Sequence, residues 1–152
     1  MIKLVRVDHR LLHGQVIFSW TKYCSINHIV IVDDDIPNDP IRSMALGLAK
    51  PADCSLDIIS FDKLRANIDA NSSKNIMIII KGVKEAAKVS EILPEVQEIN
   101  YGGIAKKENS QSFGQAVFLN SEELRITRDL INKGLKIFVQ QIPSSSIEAT
   151  EF

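Results

Sequence analysis

The chain has 152 residues, 45% apolar and 24% charged, with a formal net charge of −1. That suits one domain spanning 1–152 with a sizeable core, and it excludes a disordered chain. The near-neutral balance, without a basic block, gives no reason to expect nucleic acid. Two distant cysteines, Cys24 and Cys54, argue against a disulfide framework or a zinc site and fit a reducing compartment.

Along the chain, short apolar runs alternate with helical patterns. The first run, "IKLV", opens a start that lacks the long apolar stretch of a signal peptide. After a polar segment, Val16, Ile17 and Trp20 mark a first helix. "HIVIVD" follows as a strand. Asp39-Pro40 then reads as an N-cap with proline at the first helical position, and Ile41, Met44, Ala45 and Leu48 fall on one face, as in an amphipathic helix docked on a core. "LDIIS" is a third strand, and Phe61, Leu64 and Ile68 share a helix face after Ser60. "NIMIIIK" is a fourth strand, followed by a short helix in "VKEAAKVSEILPE" that closes near Pro94. "VQEINY" is a fifth. The polar loop "NYGGIAKKENSQSFGQ" then breaks the alternation, and "GQAVFL" is a candidate further strand. Asn120 with Glu123 resembles a capping box, Gly134 a C-cap, and "LKIFVQQI" is the last strand. The polar tail "PSSSIEATEF" reads as surface or fraying chain.

"IVIV" and "IMIII" do not alternate with polar residues, which suits strands buried on both faces of a parallel sheet. The expected fold is therefore α/β. It is doubly wound, with a mostly parallel central sheet of six to seven strands, helices on both faces and one antiparallel edge strand. No apolar run approaches the ~20 residues of a membrane helix, so a membrane role would need a partner.

One stretch departs from core-building pattern. "RVDHRLLHGQV", Arg6 to Val16, holds two of the three histidines and lies between the first strand and the first helix. Ligands of open α/β sheets bind beyond the carboxyl ends of the strands, and the following helix presents free N–H groups and its positive dipole end there. Gly14 lets the backbone approach a ligand, and Gln15 adds an amide donor. Arg10 would supply a forked positive charge suited to phosphate. Asp8 could orient Arg10 or hold one imidazole nitrogen, leaving the other free as a nucleophile. His13 could then carry a phosphoryl group. Taken alone, a loop histidine is more often a surface or capping residue, and Asp8 with Arg10 a plain ion pair. The position at a strand's carboxyl end favours the chemical reading.

The stretch resembles the phosphorylation-site signature of enzyme IIB subunits of the mannose/fructose/sorbose family of the bacterial phosphoenolpyruvate-dependent sugar phosphotransferase system. The family pattern is roughly R-[IV]-D-[DE]-R-L-[IL]-H-G-Q-V, and Arg6, Val7, Asp8, Arg10, Leu11, His13, Gly14, Gln15 and Val16 fit it. "IVIVDDDIPNDPIRSMALGLAKPA", "INYGGI" and "GLKIFVQQIPSSS" are similar to further family segments, so the likeness covers nearly the whole chain. His9 departs from it, standing where many members carry an acidic residue.

The resemblance implies a phosphohistidine–sugar phosphotransferase without a cofactor. His13 would accept a phosphoryl group, on Nδ1, from the phosphohistidine of an enzyme IIA partner. It would then pass the group to a sugar entering through membrane subunits IIC and IID. Arg10, with the amides of Gly14 and Gln15, would hold the phosphate, and Asp8 would orient the ring. The implied location is cytoplasmic, against those membrane subunits, and self-association into a homodimer is left open. No "GxxxxGK[ST]" loop occurs, which disfavours direct nucleotide use.

Other features carry plainer readings. Asp33, Asp34 and Asp35 end the second strand, where they would shape the loop, cap a helix or border the site rather than bind a cation. Lys81 reads as a solvated strand-end lysine more than as a charge near phosphate, Gly102-Gly103 as a tight turn more than as amides brought close to the site, His28 as structural, and Phe18 and Trp20 as core or interface residues. A receiver-like module would need an acidic pair after the first strand and an aspartate after the third, and "IIS" has none. An enzyme using His13 as acid/base on a small phosphometabolite would need a deep pocket and a second catalytic motif.

Overall fold

The computed structural model describes residues 1–152. In chain order the strands are β1 (Ile2–Asp8), β2 (His28–Val32), β3 (Ser55–Ile59), β4 (Ile76–Ile80), β5 (Glu98–Gly103), β6 (Gln111–Ser112), β7 (Phe118–Leu119) and β8 (Lys136–Val139). The helices are α1 (Gly14–Tyr23), α2 (Pro40–Ala49), α3 (Leu64–Ala70), α4 (Val83–Ile92) and α5 (Ser121–Asn132). Six strands form one sheet in the order β3-β2-β4-β1-β5-β8, with every neighbouring pair parallel.

The non-alternating runs are buried on both sides, as their composition requires. Every residue of β2 and β4 is buried. The five apolar side chains of β4 contribute on the order of 10 kcal/mol of gross burial at ~2 kcal/mol each. Their period of two divides the interior. Val5, Val7, Val30, Val32, Ile76, Ile78 and Ile80 face a layer holding Leu64, Ile68, Val83, Val89 and Leu130 of α3, α4 and α5. Leu4, Ile29, Ile31, Met77 and Ile79 face a layer holding Ile17, Trp20 and Leu46 of α1 and α2. The central sheet with helices on both faces is thus as expected. β1 lies in its middle, with β4 on one side and β5 on the other, and its loop leads to one face while theirs lead to the opposite face. That puts the carboxyl end of β1 at a switch point of the topology.

Local signals hold. Asp39 accepts from the Arg42 amide at 3.1 Å as N-cap of α2. Asn120 and Glu123 complete a reciprocal capping box on α5, and Gly134 closes that helix at φ +101°, in the left-handed region.

Three features differ from the sequence expectation in detail. "GQAVFL" does not join the main sheet. Phe118 and Leu119 pair antiparallel with Gln111 and Ser112 in a separate two-stranded hairpin, joined by a short connection through Gly114, as antiparallel strands can be. Antiparallel pairing at the outer edge of β8 comes instead from the tail, where Val139 and Ala149 form an isolated bridge. The tail is also anchored at its end, where the Phe152 ring packs against Tyr101 and Phe113.

The third concerns α2. Ile41, Met44 and Leu48 share a face, but that face is turned to solvent, with the three residues 84%, 69% and 84% exposed. Asp33 accepts from the amides of Asp35 and Ile36 and starts a short helical turn at Ile36–Asn38. Ser43 then donates to the Ile36 carbonyl, which rolls α2 so that Leu46 enters the core. Charged replacements at Ile41, Met44 and Leu48 are therefore expected to change stability by under about 0.5 kcal/mol each, whereas Leu46→Ala costs about 2–5 kcal/mol. Urea unfolding midpoints check both, and a loss above 1.5 kcal/mol at Leu48→Lys would contradict the assignment of the outer face.

Candidate functional site

The site grows from an anomaly in β1. Strand residues two apart share a face, and Arg6 and Asp8 are two apart in the middle strand of a parallel sheet. Both are fully buried. Charges in such a place need partners, because unpaired burial is costly. They pair with each other, Arg6 Nη2 donating to Asp8 Oδ2 at 3.1 Å. Arg6 Nη1 donates to Asn100 Oδ1 at 2.6 Å and to the Gln140 carbonyl at 3.2 Å, while its Nε has no partner. The guanidinium lies 5.6 Å from the Trp20 ring centroid, within cation–π range.

The neighbouring strand makes room for these groups. Arg6 is in register with Asn100 and Asp8 with Gly103, across a shift in the β1–β5 pairing. A Cβ at Gly102 would overlap the Arg6 guanidinium, and one at Gly103 would sit 2.8 Å from Asp8 Oδ1. Gly102-Gly103 is therefore not a tight turn. It is the end of β5, stripped of side chains so that a charged pair fits inside the sheet.

Beyond Asp8 the chain turns. The Leu11 amide bonds back to the Asp8 carbonyl, and the His9 amide bonds to the Gly103 carbonyl. Leu11 adopts φ +58°, an uncommon conformation for a branched side chain, while its side chain is buried in the core layer of α1 and α2. Gly14 follows at φ +46°, with nothing within 4 Å of where a Cβ would stand. His13 is the N-cap of α1, and no side chain caps that helix. The first-turn amides, Gly14 and Gln15 among them, are thus offered to an incoming anion.

The imidazole of His13 closes the constellation. His13 Nε2 lies 2.7 Å from Asp8 Oδ2, the oxygen that also accepts from Arg6. Burial works against ionisation of Asp8, but the His13 hydrogen bond, the Arg6 charge and the Arg10 amide outweigh it, so the carboxyl is held below its usual range. An ionised carboxylate only accepts, so Nε2 carries the proton and Nδ1 is left with its lone pair. Arg10 lies at the rim. Its amide donates to Asp8 Oδ1 at 3.0 Å and its Nε is 3.6 Å from the same oxygen, with the side chain half exposed. The Arg10 side chain is half exposed and the His13 side chain one-fifth exposed, so the site opens to the surface.

The structure thus brings together Asp8, Arg10, His13, Gly14 and Gln15. It leaves His9 apart, exposed, with only its backbone engaged. The aspartate cluster shapes a loop, since Asp33 starts the turn before α2 and Asp34 accepts from the Phe61 amide. No group of three or more histidine, cysteine or acidic side chains gathers as a metal would need. Lys81 remains partly exposed but is ion-paired with buried Asp33 at 2.9 Å. His28 is buried in β2, its Nδ1 2.6 Å from the Ser55 hydroxyl, and burial lowers its pKa more than nearby Asp57 raises it. Arg6, Asn100 and Gln140 join the site without a role expected of them, and Gly102-Gly103, expected as a tight turn, makes room for the charged pair. The available signals were the i, i+2 spacing of Arg6 and Asp8 on a strand and two adjacent glycines closing another.

The family described as "PTS system sorbose subfamily IIB component" matches residues 2–151. A probable phosphotransferase enzyme IIB component of Streptococcus pyogenes is 29% identical over 96% of this chain and 94% of its own length. Among solved structures, the N-acetylgalactosamine-specific IIB component 1 of Escherichia coli superposes with a TM-score of 0.92 at 25% identity, covering 99% of this chain and 100% of that one. The IIB domain of the sorbose permease of Klebsiella pneumoniae gives 0.89 at 25% identity, over 97% and 91%.

Proposed function

This chain belongs to the sorbose subfamily of phosphotransferase-system IIB components, and from that premise we propose that His13 is its phosphoryl carrier. The donor is the phosphohistidine of an enzyme IIA protein and the acceptor a sugar hydroxyl. In the first transfer the P–N bond on the donor breaks as one forms at His13 Nδ1. In the second that bond breaks, a phosphate ester forms, the neutral imidazole is regenerated, and the hydroxyl proton is released to solvent. Membrane subunits IIC and IID present the sugar, so the chain works on the cytoplasmic side. No helix is long and apolar enough to cross a membrane.

The observation that carries this reading is the 2.7 Å contact between His13 Nε2 and buried Asp8, which leaves Nδ1 as the nucleophilic edge. Phosphoryl transfer asks mainly for in-line placement and for groups that take up spread negative charge. Arg10 and the uncapped amides of Gly14 and Gln15 supply the latter. An open surface suits the reaction, since two proteins must bring reacting atoms together.

The test uses labelled phosphoenolpyruvate, the general phosphotransferase proteins and the matching IIA protein. The chain is expected to take up acid-labile, base-stable label and to lose it when membranes with IIC and IID and the sugar are added. Absence of label with active IIA present would reject the proposal. Arg10→Ala is expected to slow transfer about 100–1,000-fold, the usual cost of one charge-stabilising group. Its ion pair with Asp8 is half exposed and long, so stability should change by under about 1 kcal/mol. Single-turnover transfer from phosphorylated IIA and a melting curve measure the two effects separately.

A further inference from the structure

Asp8 can orient His13 only if something orients Asp8. We propose that Arg6 is a positioning residue of phosphoryl transfer: wedged against Asn100 in the space left by Gly102, it locks the Asp8 oxygen that holds His13 with Nδ1 free. The inference rests on the reading of His13 as the carrier.

Arg6 touches no reacting atom. It is fully buried, and its fork is divided among three elements. Nη2 meets Asp8 in β1, while Nη1 meets Asn100 in β5 and the Gln140 carbonyl beyond β8. Asn100 is itself fixed, because its Nδ2 donates to that same Gln140 carbonyl at 3.1 Å, which turns its oxygen toward Arg6. Trp20, beneath the guanidinium, donates its indole N–H to the next carbonyl, Gln141, at 2.8 Å. The frame leaves the guanidinium one place to stand.

The decisive geometry is that one oxygen serves two donors. Asp8 Oδ2 accepts from Arg6 Nη2 and from His13 Nε2, while Oδ1 accepts from the Arg10 amide. Rotation of the carboxylate would break all three bonds, so the position of the Arg6 fork is passed to the imidazole through a single atom. Burial of a charged pair in a sheet is a poor way to gain stability, since apolar side chains of similar volume often serve as well or better. Here the chain keeps the pair, leaves Arg6 Nε without a partner and gives up two side chains in β5 to hold it. Lysine could not replace it, because an ammonium lacks the planar fork that reaches Asp8 and Asn100 together.

Three variants separate positioning from simple structural support. Gly102→Ala keeps every functional group but sets a methyl where the guanidinium lies, Arg6→Met removes the charge, and Arg6→Lys keeps the charge without the fork. Two readouts are made on protein labelled with nitrogen-15 in histidine. Ring-nitrogen resonances at alkaline pH report the His13 tautomer, and transfer from phosphorylated IIA gives kcat and KM. The wild type is expected to show the Nε2–H tautomer alone. Gly102→Ala and Arg6→Met should show a mixture, with kcat down 10–100-fold and KM for phosphorylated IIA within twofold. Arg6→Lys should fall between Arg6→Met and the wild type.

A pure Nε2–H tautomer with kcat per folded molecule within twofold of wild type, in whichever of these variants folds, overturns the proposal, whatever the change in melting temperature. A loss confined to KM overturns it as well. If the wild type takes no label, the carrier reading fails; the tautomer measurement needs no donor and still decides whether Arg6 sets the ring.

Discussion

His13→Ala is expected to abolish phosphoryl uptake, a loss of more than about a thousandfold, while His9→Ala keeps transfer within about threefold. The two histidines lie four residues apart in one loop, and the geometry separates them sharply. The His13 ring is held by a buried carboxylate at 2.7 Å and stands at the uncapped start of α1. The His9 ring is exposed and engaged by nothing, while its backbone amide holds Gly103. An acceptor needs a free ring nitrogen aimed at phosphorus and donors placed to take up the charge that moves with it. Only His13 has both. The side chain caps no helix amide, so the alanine variant should melt within a few degrees of the wild type. Phosphoprotein gels after incubation with phosphorylated IIA read the outcome. Label that survives His13→Ala and disappears in His9→Ala would reverse the assignment.

Asp8→Asn should be the most damaging isosteric change, acting on both rate and stability. An amide offers one acceptor where the carboxylate offers two. In either orientation an N–H₂ group confronts a donor, toward Arg6 and His13 or toward the Arg10 amide. With the NH₂ toward Arg6 and His13, the imidazole must switch tautomer and accept at Nε2, which protonates Nδ1 and removes the nucleophile. A wrong-tautomer variant of this kind is expected to lose about 10²–10⁴ in transfer rate, as in hydrolases where an aspartate orients a catalytic histidine. Removing one partner of a buried ion pair also costs about 3–5 kcal/mol, since the Arg6 charge stays behind.

The pH dependence of stability follows from the depressed pKa of Asp8. The native state holds this carboxylate ionised more firmly than the unfolded chain does, so its contribution is present above the unfolded value of ~3.9 and is lost as pH falls through the lower native value. The wild type should therefore lose stability below about pH 4, and Asp8→Asn should lack that part of the acid limb. Urea midpoints between pH 2.5 and 7 measure it. An acid limb unchanged in Asp8→Asn would show that other carboxylates dominate it.

Much of the fold was legible because its signals are local. "IVIV" and "IMIII" are buried on both faces because nothing in them is fit for water. The caps at Asp39 and Asn120 and the glycine at Gly134 act within one turn of chain, so residue identity alone announces them. α2 failed for the complementary reason. Ile41, Met44 and Leu48 do share a face, but periodicity says which residues lie together and not which way they look. That choice fell to the Ile36 turn and the Ser43 hydrogen bond, contacts outside the repeating pattern.

The site divides along the same line. The β1–loop–α1 segment is readable from consecutive residues: a carboxylate, an arginine, a histidine and a glycine within seven residues, where a parallel strand gives way to the start of a helix. Short separation along the chain forces those groups together whatever the rest does. What stands behind them comes from distant parts of the chain. Asn100 and Gln140 lie 94 and 134 residues from Arg6, and Gly102 and Gly103 matter only because β5 pairs with β1 in the register that brings their bare backbone against a buried charge. Strand order is set by packing across the whole sheet, which no window of sequence contains. The tautomer of His13 depends on that packing, through an oxygen that Arg6 holds in place.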